Sequence, residues 1–246
     1  LYNNNAQGEY YLTDTMKIIK DRGSKVGVFV GATIEELMGV NSRVQLSQAE
    51  AIMRKRINKR HMDNGVTIIN PENTYIESNV QIGKDTIIEP GVMLKGNTEI
   101  GEECIIGMNS SITNSKIGNF TEIKISTIID SAVGENTTVG PYAYLRPKSN
   151  VGNHVKIGDF VEVKNANIGD YSKASHLSYI GDADVGKDVN IGCGVVFVNY
   201  DGKNKFRSVV EDGAFIGSNS NLVAPVHIQH KGYIATGSTI TEDVPD

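Results

Sequence analysis

The chain has no tryptophan, two cysteines, six prolines and no surplus of positive charge. Each shortage excludes something. Cys104 and Cys193 are too few to build the disulfide framework of a small secreted domain, and they suit a reducing cytosol. With 24 Lys+Arg against 29 Asp+Glu, the net charge of -5 gives no reason to expect a nucleic-acid groove or an anionic membrane partner. No apolar run approaches the ~18 residues of a membrane span, and no signal peptide opens the chain. The opening "LYNNNAQGEYYLTD" and the closing "ITEDVPD" read like the middle of a longer protein, so the 246 residues are expected to be a fragment.

What is plentiful is glycine, at 26 residues, together with isoleucine and valine. Regularly spaced β-branched residues separated by glycine predict many short strands joined by tight turns.

Three zones follow. Residues 1–38 read as mixed α/β, with "YYLTDTMKIIKDRG" a helix capped by Asp14 and ended by Gly23, then "KVGVFVG" a strand. "NSRVQLSQAEAIMRKRINKRHMDNG" reads as a longer, connecting helix. Asn41 or Ser42 is its candidate cap, Val44, Ala49, Ile52, Met53 and Ile57 its apolar stripe, and Gly65 its stop. Its basic end reads as a solvated face near the helix C-terminus.

From Ile76 the period becomes six. Aliphatic residues fall at Ile76, Ile82, Ile88, Leu94, Ile100, Ile106 and Ile112, then after one deletion at Ile117, Ile123 and Ile129. A second run holds Val133, Val139, Leu145, Val151, Ile157 and Val163, and a third runs from Val210 to Ile240. Six fits neither a helix nor a long alternating strand. It fits a β-solenoid in which one aliphatic residue per face points inward and three hexads close a triangular coil. The glycine that often follows the aliphatic residue is expected to serve the turn.

The longest break, "FVNYDGKNKFRSVV", holds Asn199 and Tyr200 and reads as a projecting surface loop. Arg146 and Lys164 lie three hexads apart, hence one coil apart on one face, where two stacked cations suit an anion such as a sugar phosphate. Most single cations on such a face are merely solvated. His176 follows Lys164 by two hexads, on a neighbouring face compatible with one cleft. His61, His154, His227 and His230 read as ordinary surface residues.

The motifs "NNNAQGEYYLTD", "GVNSRVQLSQAE", "KASHLSYIGDADVG", "VNIGCG" and "VNYDGKNK" occur in order across essentially the whole chain. Together they closely resemble the bacterial bifunctional N-acetylglucosamine-1-phosphate uridyltransferase/glucosamine-1-phosphate acetyltransferase family. The resemblance implies a mainly β fold: a left-handed parallel β-helix of hexapeptide repeats, preceded by a remnant of a Rossmann-like α/β nucleotidyltransferase domain and a connecting helix. It implies 1–38 as the uridyltransferase remnant, 39–65 as the linker helix, and 66–246 as the acetyltransferase domain. It further implies a cytoplasmic homotrimer that makes UDP-N-acetylglucosamine for peptidoglycan and other cell-wall polymers.

For the site, the resemblance implies His176 as catalytic base and Arg146, Lys164, Tyr179 and Asn190 as sugar-phosphate contacts. Acetyl-CoA contacts are implied at Cys193, Asn199, Tyr200, Ser218 and Thr236, and a Mg²⁺ position of the uridyltransferase at Asn41. This chain departs from the commoner pattern at Cys193 and Thr236, where alanine is usual, and at Ser175, where glycine is usual. The chemistry is coherent, because an amine attacks a thioester only as the free base and a histidine near pKa ~6.5 can take its proton at working pH. No covalent acetyl-enzyme is expected, since the family position of Cys193 is normally alanine. Uridyl transfer is not expected of these 246 residues, because one neutral amide does not hold Mg²⁺. Two other readings stand beside this one. A γ-type carbonic anhydrase would need three zinc-binding histidines that the spacings do not supply. A non-catalytic trimerisation or regulatory β-helix would leave Arg146, Lys164, His176 and the Asn199–Tyr200 pair unexplained.

Overall fold

The structure, a computed structural model, describes residues 1–246 and divides into two compact units, Leu1–Ala49 and Glu50–Asp246. In the first unit, α1 (Asp14–Asp21) is a short helix. Thr13, not Asp14, takes the N-cap position, and no side chain caps it; Asp14 contributes as the first-turn acid. The expected α/β remnant does not appear. "KVGVFVG" forms no strand, and Val28, Phe29 and Val30 are 86–91% exposed. A strand persists only when a neighbour takes up its backbone N–H and C=O groups, and no second extended segment in this unit does so.

Helix α2 (Arg43–Asp63) starts at Ser42, whose Oγ accepts from the Gln45 N–H at 3.2 Å. Asn41 is not the cap; its backbone N–H donates instead to Gln45 Oε1 at 2.7 Å. The expected stripe also changes. Val44 and Met53 are exposed, whereas the buried residues of α2 are Asn58 and His61. In the second unit Ile57 packs against the solenoid core, and Asn58 Nδ2 donates to the carbonyls of Pro71 at 2.8 Å and Thr74 at 3.0 Å. Burial, helped by the neighbouring Arg60 charge, holds the His61 imidazole below its ordinary pKa. Gly65 ends the helix with φ of +91°.

From Thr67 to Ile240 the chain winds through 29 short strands. They form three parallel sheets of ten, ten and nine strands, each strand pairing with its counterparts one coil before and after. The first sheet begins at Thr67–Ile68, the second at Tyr75–Ile76 and the third at Gln81–Ile82. Inside, the aliphatic residues stack into three ladders. The second sheet's ladder reads Ile76, Leu94, Ile112, Ile128, Leu145, Val163, Ile180, Phe197, Leu222 and Ile240.

Two expectations need correction here. The inward residue of the eleventh coil face is Ile128, fully buried, not Ile129, because a second residue is dropped between Ile123 and Ile128. The glycines after the aliphatic residues also serve close approach more than turning. A Cβ on Gly158 would lie 1.9 Å from the Ser175 carbonyl oxygen of the next coil. Left-handed corner positions are instead filled largely by other residues, among them Asn165, Leu177 and Asp182.

A small buried residue lies two positions before many inward residues. Thr86 shows why: its Oγ1 donates to Gly101 O at 2.8 Å and accepts from the Cys104 N–H at 3.0 Å, tying adjacent coils. Cys104 occupies the same position one coil on, with Sγ donating to Gly118 O at 3.1 Å. Its thiol is a packing group, pushed up in pKa by burial.

Candidate active site

Register brings most of the expected site residues to the two corners that flank the second sheet. On the first sheet, Ala174, Ile191, Ile216 and Ile234 are register partners in successive coils. Two residues beyond each comes the corner, occupied in turn by His176, Cys193, Ser218 and Thr236. These four therefore form one column, rising ~4.8 Å per coil. Below them, Asp159 pairs with His176 in register, and its Oδ1 lies 2.7 Å from His176 Nδ1. The hydrogen bond to that imidazole holds the Asp159 carboxyl below the usual carboxylate range.

At the opposite edge of the same sheet stand the cations. Leu145 and Val163 are register partners, so Arg146 and Lys164 sit one above the other as the three-hexad spacing predicted. Arg146 is held by Glu162 at 2.8 Å, and its guanidinium lies 5.9 Å from the Tyr144 ring centre. Lys164 is paired across strands with Gly181. The Tyr179 ring folds over that glycine: a Cβ there would meet its hydroxyl at 2.4 Å. From the His176 corner to Gly181 is five residues, about 16 Å at ~3.3 Å per residue. The His176 imidazole and the two cations are thus within reach of one small anionic molecule lying across the sheet.

A second column, Asn165, Asp182 and Asn199, runs along the cation-bearing corner. Asp182 is buried with its carboxylate fully engaged. Asn165 Nδ2 donates to Oδ1 at 2.5 Å, Asn199 Nδ2 donates to Oδ2, and Lys164 Nζ lies 3.7 Å from Oδ2. Burial pushes this carboxyl upward, but the two amides and the charges of Lys164 and Lys205 outweigh it, leaving its pKa lowered. Lys164 in turn depresses the pKa of the Lys205 ammonium. Asn199 Nδ2 also donates to the Tyr179 hydroxyl at 3.3 Å, linking the loop to the sheet.

The loop that begins at Asn199 is a corner excursion. Val185 pairs with Val210, so one turn of the coil is extended here and the solenoid resumes without losing register. Arg207 clasps its base: Nε and a terminal nitrogen donate to Asp184 at 2.5 and 2.6 Å, and the guanidinium also reaches the carbonyls of Asn165 and Ala183 at 2.8 Å each. Tyr200 projects from the loop, 55% exposed, with its hydroxyl on Gly202 O.

Two expected residues lie apart. Asn190 is on the outer face of the first sheet, in register with Lys173 and Phe215, around the corner from Tyr179. Asn41 lies in the Leu1–Ala49 unit, and no three His, Cys, Asp or Glu side chains anywhere in the chain converge as a metal requires. A lone amide does not fit Mg²⁺, so no step is assigned to that ion here. His154 stacks on Tyr171 at 4.7 Å and His227 pairs with Glu211 at 2.7 Å, each a local surface contact.

The parallel ladders and six-residue repeat define a hexapeptide-repeat β-helix. The family described as "Bacterial transferase hexapeptide (six repeats)" matches residues 79–114 and 130–165, and "Hexapeptide repeat of succinyl-transferase" matches 208–242. Within that class the chain is similar to the proteins called "Bifunctional protein GlmU". It is 78% identical over 246 residues to the one from Clostridioides difficile (strain 630) and 67% identical over 246 residues to the one from Alkaliphilus oremlandii (strain OhILAs). Each alignment covers 100% of this chain and 54% of the relative, so the chain spans about half the length of the curated relatives it matches. Among solved structures, the UDP-N-acetylglucosamine acyltransferase from Campylobacter jejuni aligns at 17% identity over 72% of this chain and 68% of that one, with a TM-score of 0.39. That likeness is too loose to inform the chemistry.

No helix is long and apolar enough to cross a membrane.

Proposed function

We propose that residues 66–246 are an N-acetyltransferase unit that moves the acetyl group of acetyl-CoA to the amine of glucosamine 1-phosphate, giving N-acetylglucosamine 1-phosphate. The observation that carries this reading is the pairing of two features on one sheet: a corner column rising from His176, and stacked cations at the far edge. Arg146 and Lys164 take the phosphate, and Tyr179 borders the sugar. The pantetheine arm follows the column past Cys193, Ser218 and Thr236, with Asn199 and Tyr200 at its other side.

The amine attacks the thioester carbon as the free base. The proton it sheds as the N–C bond forms passes to His176 Nε2, and the oxygen of the tetrahedral intermediate accepts from a backbone N–H. That of Cys193, one coil above His176 and engaged in no hydrogen bond within the chain, is the donor in this reading. The C–S bond then breaks, and CoA leaves as a thiolate that takes up the proton from His176. An amide and a free thiol result, with no covalent enzyme intermediate. Asn190 can join the same sugar only from a second copy of the chain, so a homotrimer belongs to the reading. So does a reducing cytoplasm, which suits the exposed free thiol of Cys193. In the longer relatives this product would feed formation of UDP-N-acetylglucosamine for cell-wall synthesis.

The test is CoA release from acetyl-CoA with glucosamine 1-phosphate as acceptor, comparing the chain with His176→Ala. Turnover that falls at least ~10²-fold in the variant is expected of a general base. Equal turnover would remove His176 from that role. A folded chain that neither turns over nor binds acetyl-CoA would leave the β-helix as a non-catalytic assembly module.

A further inference from the structure

His176 stands on an exposed corner, its side chain 58% accessible. The neutral imidazole exists as two tautomers, and which nitrogen carries hydrogen is set by the partner of the other. A base that must present Nε2 to a substrate amine needs its hydrogen on Nδ1. The directed contact at Nδ1 comes from the preceding coil, where Asp159 Oδ1 lies 2.7 Å away. The two residues end facing strands, Lys156–Asp159 and Lys173–His176, which are in register. Gly158 allows that closeness, since a side chain there would strike the Ser175 carbonyl. An ionised carboxylate can only accept. With Asp159 ionised, Nδ1 must therefore be the protonated nitrogen, and the lone pair is left on Nε2.

We propose that Asp159 is a positioning residue for His176: it selects the Nδ1–H tautomer, fixes the ring plane, and so aims the Nε2 lone pair over the second sheet. Its kinetic consequence rests on the acetyltransferase reading above; the tautomer itself does not. The contact with the imidazole also holds the Asp159 carboxyl below the usual range, which keeps it ionised and able only to accept. Asp159 is the carboxylate that pairs with the ring, while Glu162, three residues on, pairs with Arg146 at 2.8 Å.

Two readouts test this on the full chain. The first is long-range ¹H–¹⁵N NMR of the imidazole nitrogens at about pH 8.5, where an imidazole is neutral. His176 is expected as Nδ1–H in the parent, as predominantly Nε2–H in Asp159→Ala, and as Nδ1–H again in Asp159→Asn, whose amide oxygen still accepts. The second is steady-state acetyl transfer. Asp159→Ala should lower kcat about 10- to 100-fold, well short of the ~10⁴-fold effect of a buried triad carboxylate because this pair is exposed, with KM for either substrate within about twofold. Asp159→Asn should recover most of the loss. An Nε2–H tautomer in the parent overturns the proposal. So does a tautomer, or a kcat, unchanged in Asp159→Ala. Should the parent show no acetyl transfer, the functional reading falls while the NMR comparison still decides whether Asp159 positions the ring.

Discussion

A cysteine one coil above a histidine invites a thiol mechanism, and the two side chains of this corner argue against it. Cys193 Sγ has no hydrogen-bond partner in the chain, and the imidazole below it is engaged by Asp159, not by the thiol. A nucleophilic cysteine needs a base or cation beside it to hold it as thiolate. What this corner offers a ligand is backbone, because Cys193 sits between Gly192 and Gly194. Cys193→Ala is therefore expected to keep kcat within about threefold, and intact-mass analysis after acetyl-CoA is added should find no acetylated chain. A ~10²-fold loss, or a stable acetyl adduct in the parent, would overturn direct transfer. Residue by residue, the sequence exposes this site unevenly. Arg146 and Lys164 are legible through their three-hexad spacing, and His176 only through the motif around it. Asp159 and Asp182 are not, since acids are common on any solvated face. Counting eighteen residues back from His176 and Asn199 reaches Gly158 and Gly181, one short of each partner. The coil is shortened to seventeen by five-residue faces between Val163 and Ile168 and between Ile180 and Val185, which only the register reveals.

At the scale of elements, the loop from Asn199 to Arg207 has little apolar content to hold it, so its shape depends on polar ties at its base. Asn199 is bound to Asp182 and Tyr179, and Arg207 clasps Asp184 with both nitrogens of its fork. The Arg207 guanidinium holds the Asp184 carboxyl below its ordinary range, against the opposing effect of burial, with Asn167 assisting. The sign follows from linkage. A depressed folded-state pKa gives stability that is fully present above the unfolded value of ~3.9 and is lost as pH falls through the lower, folded value. The loop should thus stay tied near neutrality and loosen progressively as pH falls below the unfolded value of ~3.9. Hydrogen exchange of residues 199–207 measured from pH 6 to pH 3 checks this, once corrected for intrinsic rates. Arg207→Ala should raise loop exchange already at pH 7 and raise KM for acetyl-CoA about two- to tenfold, a modest effect because the pair is half exposed. Loop protection that is independent of both pH and Arg207 would place the hold elsewhere. The sequence marks this segment as a loop by its loss of apolar period, but not the clasp, which joins residues 23 positions apart.

For the whole molecule, one regularity carries most of the fold. A six-residue aliphatic period forces short strands, inward ladders and parallel pairing, so the architecture from Ile76 to Ile240 is legible before any coordinate. The same logic fails for residues 1–49, where composition alone suggests a strand that has no partner to pair with. It also stumbles wherever the period contracts, and Ile128 against Ile129 is the sharpest instance. Both are isoleucine and both lie in the strand Thr127–Ile129, so neither composition nor propensity separates them. The pairing does: Ile128 lies between Ile112 and Leu145 in the second ladder, fully buried, while Ile129 sits at the corner beside Thr113, only partly buried. Removing a buried isoleucine side chain to alanine costs about 2–5 kcal/mol, because a rung of a rigid ladder cannot collapse into the cavity left behind. Ile128→Ala should therefore shift the urea midpoint far down, while Ile129→Ala should cost less than about 1 kcal/mol. A solenoid transmits such damage mainly to its neighbours, so hydrogen exchange should rise first in the coils holding Ile112 and Leu145 and least near Ile240. Equal costs for the two substitutions would mean that the strand sits one residue out of the register described, which would also turn every outward residue of that coil inward.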